Sequence, residues 1–295
     1  MPQDTQKPQL RHWLLLILLS IIWGSSFILI KRGLLVFNAA ETGAIRVFWA
    51  CIVLLPVAIL KFKKIPKGKW KYILIMGLCG NFIPAFLFAK AQTQLASSLT
   101  GVLNALTPLF TFLIGIFVFK YGISKRQLTG LTIAFLGSFS LSFVSSDGSF
   151  GQINYYVFFV IAAAICYGIS TNVIKVYLTE IPSLVLTSVA ISLVGPISVF
   201  YLMTTDVFLK FETKPTEAWG AFGYLGLLGI MSTAIALVIF NRMIKQTSAV
   251  FASSVTYIIP VVAIFWGVWD GEQLLTLHYV GIFTTLVGVY ITNRS

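Results

Sequence analysis

The feature that most limits what this chain can become is a series of ten apolar runs, each close to the ~20 residues that an α-helix needs to cross a bilayer. They fall near 13–35, 42–60, 71–90, 97–119, 127–144, 155–174, 184–204, 218–240, 248–269 and 277–293. Hydrocarbon offers a backbone no hydrogen-bond partners, so each run has to satisfy its own N–H and C=O groups as a helix. The connections carry the punctuation of helix ends, such as the lysines, Pro66 and Gly68 after the second run and Pro182-Ser183 after the sixth. The first run is longer than a signal-peptide core and continues past Gly24-Ser25-Ser26, so it reads as an anchor that stays in place. With 58% hydrophobic and 10% charged residues among 295, no connection is long enough for a soluble domain. Function has to be sought among the helices.

The net charge of +12 would suggest nucleic acid in a soluble domain, but here the basic residues sit at the ends of apolar runs. With the N-terminus inside, 15 of the 21 Lys and Arg fall on the inner side. The positive-inside rule therefore predicts a multi-pass protein of the cytoplasmic (inner) membrane with both termini cytoplasmic, and no nucleic-acid partner. Cys51, Cys79 and Cys166 lie inside apolar runs with no CxxC or His-Cys spacing. They read as small buried hydrophobes, with neither a disulfide nor a metal site expected.

The two halves resemble each other. Trp23-Gly24-Ser25-Ser26 through Ile30-Lys31 lies against Tyr167-Gly168-Ile169-Ser170 through Ile174-Lys175, with Gly24 and Gly168 offset by 144. Pro108 matches Pro260, and Gly130 and Gly137 match Gly281 and Gly288, at offsets of 152 and 151. An ordered series of such landmarks marks an internal repeat. Five spans per half is an odd number, so the second half enters the membrane from the opposite side. The expected fold is an all-α integral membrane protein of ten transmembrane helices, arranged as two inverted five-helix repeats over 1–145 and 146–295 in one membrane domain. Inverted repeats about a midplane site give many secondary transporters two interchangeable conformations.

These residues resemble the drug/metabolite transporter superfamily, and within it the EamA-type permeases. The resemblance runs from Ile21-Ile22-Trp23-Gly24-Ser25-Ser26-Phe27, through Glu41 and Arg46 and the Pro108 and Pro260 helices, to Gly271-Glu272-Gln273 with Gly281 and Gly288. It implies an inner-membrane exporter or exchanger of small metabolites, often amino acids. Family members often carry a glutamate after the fourth span to match Glu272, whereas this chain has Lys120 in that stretch. Glu272 is therefore expected to be structural, near a helix end.

Polar groups in mid-span cost a few kcal/mol unless they face a cavity or a partner, which makes them the candidates for a substrate site. Trp23 lies ten residues into its span, about 15 Å down at the helical rise, and Tyr167 holds the equivalent place in the sixth. Asn81, Asn104 and Asn172 both donate and accept, as a zwitterionic solute requires, and equally suit interhelical bonds. Thr256 and Tyr257 repeat the places of Asn104 and Ala105, with Ser253 and Ser254 one turn away. Pro108 and Pro260 each free a carbonyl and serve as kinks, for gating or for a bent cavity wall. Arg46 and Lys90, near the external ends of their spans, are candidates for an anion contact at an outer vestibule, against a reading in which they snorkel to the headgroups. The Gly-x6-Gly pairs assign the fifth and tenth spans to the scaffold.

A membrane-embedded enzyme would need mid-span carboxylates, a His-rich metal site or an activated nucleophile, and His12 and His278 both sit at helix ends. A channel would need a ring of like charges or a filter loop. The expected protein is a carrier working by alternating access, with a cavity lined by the first, third, fourth, sixth, eighth and ninth spans. Its expected partners are a small-molecule substrate, an amino acid or similar amphipathic metabolite, and membrane lipid. It is expected to need no cofactor and to be a monomer or weak oligomer.

Overall fold

The computed structural model describes residues 9–120, 125–141, 154–247, 252, 255–273 and 276–293. All regular structure among these residues is helical. The main segments are α1 (Leu10–Leu34), α2 (Ala39–Lys61), α3 (Lys67–Ala91), α4 (Ser97–Phe117) and α5 (Lys125–Leu141), then α6 (Val157–Tyr177), α7 (Ser183–Met203), α8 (Pro215–Ile244), α9 (Val255–Trp269) and α10 (Thr276–Asn293). Seven helices among the described residues, α1 to α4 and α6 to α8, are long and apolar enough to cross a membrane, and α9 and α10 contain the shorter apolar helices Ile258–Trp269 and Tyr279–Gly288. Parts of the fifth and ninth apolar runs, including Ser253 and Ser254, lie outside the described residues.

The exterior is what a bilayer requires. Ile59, Phe200 and Phe283 are 68 to 70% exposed, and large apolar side chains face outward on most of the helices. A surface of this kind would drive a water-soluble protein to aggregate and is at home in lipid. Inside, small residues let backbones approach. A Cβ on Gly24 of α1 would lie 2.5 Å from the Val262 Cβ of α9, and one on Gly168 of α6 would lie 2.9 Å from the backbone of Phe110 and Thr111 in α4. Likewise Gly77 of α3 lies on the Ala190 carbonyl of α7, and Gly229 of α8 on the Arg46 carbonyl of α2. In the same way α5 packs on α10 and α2 on α7.

Helix ends follow their local chemistry. Asn38 accepts from the Glu41 N–H at 2.9 Å and its own N–H donates back to Glu41 Oε2 at 2.8 Å, a reciprocal cap that starts α2. Among the described residues, α3, α4 and α8 depart from α geometry in mid-helix. A π-turn at Leu78–Phe82 interrupts α3, another at Leu228–Ile235 interrupts α8, and a 3-10 turn at Asn104–Leu106 interrupts α4 just before Pro108. Pro108 thus opens the second part of α4, where the ladder is already broken, while Pro260 sits inside α9. The sequence reading treats 205–217 as a plain connection, and the structure differs by placing a short helix there, Val207–Thr213. Its Phe211 packs between Phe37 and Trp219, and its Lys210 pairs with the buried Glu41.

Candidate functional site

A cavity of about 120 Å³ opens at the centre of the bundle between α1, α2, α3, α4, α6, α8 and α9. An apolar cavity of ~150 Å³ accepts one benzene molecule, so this space is the size of one small solute. Of the sequence candidates, Trp23, Asn81, Asn104, Tyr167 and Thr256 line it. Asn81 on α3 and Ser232 on α8 reach it from within the two π-turns. The Ser232 carbonyl accepts from the Trp23 indole N–H at 3.0 Å, and Ser26 Oγ meets Ser232 Oγ at 2.7 Å. Asn104 Oδ1 accepts from the Thr107 hydroxyl at 3.2 Å. The Asn81 amide nitrogen is buried with no hydrogen-bond partner, on a residue that lines the cavity.

Arg46 lies deeper than the sequence reading puts it. It is seven residues past the start of α2, about 10 Å down at the helical rise, and it lines the central cavity instead of an outer vestibule. Its Nε–H donates to Thr233 Oγ1 at 2.8 Å, and it shares the cavity wall with Tyr167. Phe27, Phe88 and Phe240 supply an apolar wall, with Trp23 edge-on to Phe240 at 5.0 Å and Phe88 stacked near Tyr167 at 5.9 Å. Sequence reasoning missed Ser26, Ser170, Thr107, Ser232, Thr233, Phe88 and Phe240. The repeat offsets were a usable signal for most of them, since Ser26 and Ser170 are 144 apart and Phe88 and Phe240 are 152 apart, with both members of each pair on the cavity.

The remaining candidates lie elsewhere. Asn172 does not line the cavity; its amide donates to the Thr111 carbonyl at 2.8 Å and the Gly168 carbonyl at 2.9 Å, tying α6 to α4. Lys90 is at the end of α3 with Tyr201, Asn38 and Phe86 around it, its ammonium 5.8 Å from the Tyr156 ring. Pro108 and Pro260 are on the cavity-lining helices α4 and α9 without lining the cavity themselves. The Tyr257 side chain lies outside the described residues.

One end of the bundle is held by charge. Lys31 at the end of α1 meets Asp270 at 2.7 Å and Glu272 at 2.9 Å, and Arg32 pairs with Asp270. Glu272 also accepts from the N–H and hydroxyl of both Ser97 and Ser98, at 2.6 to 3.0 Å, and so caps the first turn of α4. Burial pushes the Glu272 carboxyl up, but the hydrogen bonds from Ser98, Lys31 and Ser97 outweigh it and hold the group at about 2. Its place is structural.

A multi-pass helical membrane protein with a polar central cavity has the architecture of a transporter. The profile of the EamA-like transporter family matches residues 11–143 and again 154–294, and the chain belongs to that family. It is 24% identical to a "Probable terminal-alkyne amino-acid exporter" of Streptantibioticus cattleyicolor, over 95% of this chain and 92% of that one. A "Probable amino-acid metabolite efflux pump" of Salmonella typhimurium is 22% identical over 94% and 93%. The uncharacterized inner membrane transporter YedA of Escherichia coli is 26% identical over 93% and 88%. A solved crystal structure of a protein 14% identical covers 96% of each chain with a TM-score of 0.65, and shares the fold. The family and these relatives make the chain a transporter and not an enzyme.

Proposed function

We propose that this chain is a secondary carrier that moves an amino acid or similar small metabolite out of the cell, or exchanges one for another, across the cytoplasmic membrane. The mechanism is alternating access by two inverted five-helix halves, 1–145 and 146–295, in a ten-span bundle with both termini cytoplasmic. The observation that carries the reading is the composition of the cavity wall. Trp23 and Tyr167, Ser26 and Ser170, Phe88 and Phe240, and Asn104 and Thr256 are pairs at the two repeat offsets, and both members of each pair line one cavity. The close contacts repeat in the same way, with Gly24 on α9 answered by Gly168 on α4, and Gly77 on α7 answered by Gly229 on α2. A site shared equally by two like halves can be exposed to one side by one half and to the other side by its mate. The separate matches of the two halves to one family profile and the printed names of the relatives support the same reading.

The test is uptake of a labelled amino-acid panel into liposomes holding the full chain, with and without the same solute preloaded. Saturable uptake accelerated by preloading is the expected result. Flux linear in concentration and indifferent to preloading would replace the carrier with a channel.

A further inference from the structure

We propose that Arg46 is the fixed counter-charge for a substrate carboxylate, and that the cavity selects amino-acid-sized monocarboxylates with an apolar side chain. This rests on the carrier reading and names the chemistry of its solute. Three observations converge. First, Arg46 is the cavity's charged lining residue: neither Asp nor Glu lines the cavity, and no carboxylate among the described residues pairs with Arg46. An arginine guanidinium stays protonated and is costly at membrane depth without an anion, so the site as it stands is short of one negative charge. Second, Arg46 breaks the repeat. Its mate at the 144 offset is Ala190, fully buried against α3, whereas Trp23, Ser26, Asn104 and Ser232 have mates that also line the cavity, in Tyr167, Ser170, Thr256 and Gly80. Symmetric residues are accounted for by the alternation of the halves; a cation on one half only is accounted for by the ligand.

Third, donors converge on the same place. Thr233 accepts the Nε–H and fixes the plane of the guanidinium, and Arg46 lines the cavity together with Tyr167. Asn81, whose amide nitrogen is buried without a hydrogen-bond partner, lines the same cavity from α3. A carboxylate can accept from a guanidinium fork and an amide together. Away from Arg46 the wall is Trp23, Phe27, Phe88 and Phe240, which suits an apolar side chain. An ammonium group would find only neutral acceptors there, such as Asn104 Oδ1, so amines lacking a carboxylate are disfavoured by the unbalanced Arg46.

The experiment uses the full-length chain with leucine, phenylalanine, their 2-keto acids, their amides and the corresponding amines. Thermal stabilisation in detergent reads binding, and counterflow in liposomes reads transport. The acids should stabilise the protein and compete for uptake at least tenfold better than the amides or amines, and Arg46→Gln should lose that preference, since a hydrogen bond between two charged groups is stronger than one between neutral groups. Arg46→Lys should retain part of it, and Thr233→Val, which leaves the charge but frees its plane, should raise KM for the acids. These two variants carry the test if Arg46→Gln does not fold. Equal competition by acids and amides, or an unchanged acid preference in the Arg46 and Thr233 variants, would overturn the proposal while leaving the carrier standing. Arg46-dependent binding of acids without any flux would do the reverse, and no binding of any acid would overturn the proposal.

Discussion

Replacing Glu272 with Gln removes one charge and exchanges one acceptor oxygen for a donor while keeping the side chain's shape. In the wild type the carboxylate receives four hydrogen bonds from Ser97 and Ser98 and one from Lys31. The carboxyl is held at about 2 against an ordinary 4.5, which at ~1.4 kcal/mol per tenfold is about 3 kcal/mol of preference for the charged form. Lys31 is one-third exposed, so screening reduces this to about 2 kcal/mol. The folded value is depressed, so this stabilisation is fully present above about 4.5 and is lost as pH falls from there through about 2. At pH 7 Glu272→Gln should therefore lower the thermal midpoint in detergent by roughly 4–8 °C, taking ~2–4 °C per kcal/mol for a chain of this size. The deficit relative to wild type should close as the wild type is taken toward pH 2. The same variant should open the latched end more often, so a cysteine placed at Ile30, introduced after replacing the three native cysteines, should react faster with an impermeant maleimide applied from that side. A midpoint within 1 °C of wild type at pH 7, with unchanged maleimide reactivity, would refute the assignment of Glu272 as a latch.

Trp23→Ala and Asn104→Ala should each reduce transport at least tenfold, with the protein still folded in the membrane; wild-type flux in both would remove them from the site. Asn172→Leu should instead lower stability by about 1–3 kcal/mol, because the Thr111 and Gly168 carbonyls lose a buried donor, and should leave KM unchanged in whatever protein folds. A raised KM at full stability would return Asn172 to the substrate. Gly24→Ala forces a Cβ into Val262 and should cost about 1–3 kcal/mol, while Gly220→Ala meets nothing within 4 Å and should melt with the wild type. Equal midpoints for the two variants would contradict the close α1–α9 crossing.

Helices were legible because lipid leaves a long apolar run one backbone solution, and the repeat was legible because glycine and proline mark places where backbones meet or break. Trp23, Asn81, Asn104, Tyr167 and Thr256 could be picked out because a polar or amphipathic group in mid-span is unusual. What escaped were effects of backbone phase and of distance along the chain. A π-turn shifts the facing of all that follows by most of a third of a turn, and neither Leu78–Phe82 nor Leu228–Ile235 announces one, so Ser232 and Thr233 went unseen. Arg46 escapes the sequence reading because a charge near a helix end ordinarily reaches outward to headgroups, whereas Thr233 on α8 holds its guanidinium inward. Asn172 satisfies its amide locally through a glycine that lets α4 come close, a contact visible only once α4 and α6 are packed.

The two ends of the bundle are not electrically alike, and this bears on how a symmetric cavity could have a preferred direction. Under the proposed repeat the position answering Glu272 is Lys120, at the 152 offset, and the position answering Lys31 is Lys175. At the latched end an acid and a base attract; at the other end the corresponding residues are two bases, which cannot make the same bond. Alternating access needs two conformations close enough in free energy for substrate to move between them. The latch favours the state closed at its own end, and the Lys69–Glu180 pair at 2.8 Å works the other way at the opposite end. Under the proposed orientation, with both termini cytoplasmic, the latched end faces outward, and a net bias toward closing there would present the empty cavity to the cytoplasm. That is the state from which the proposed exporter would load, and a carboxylate reaching Arg46 from the cytoplasm would meet it already populated.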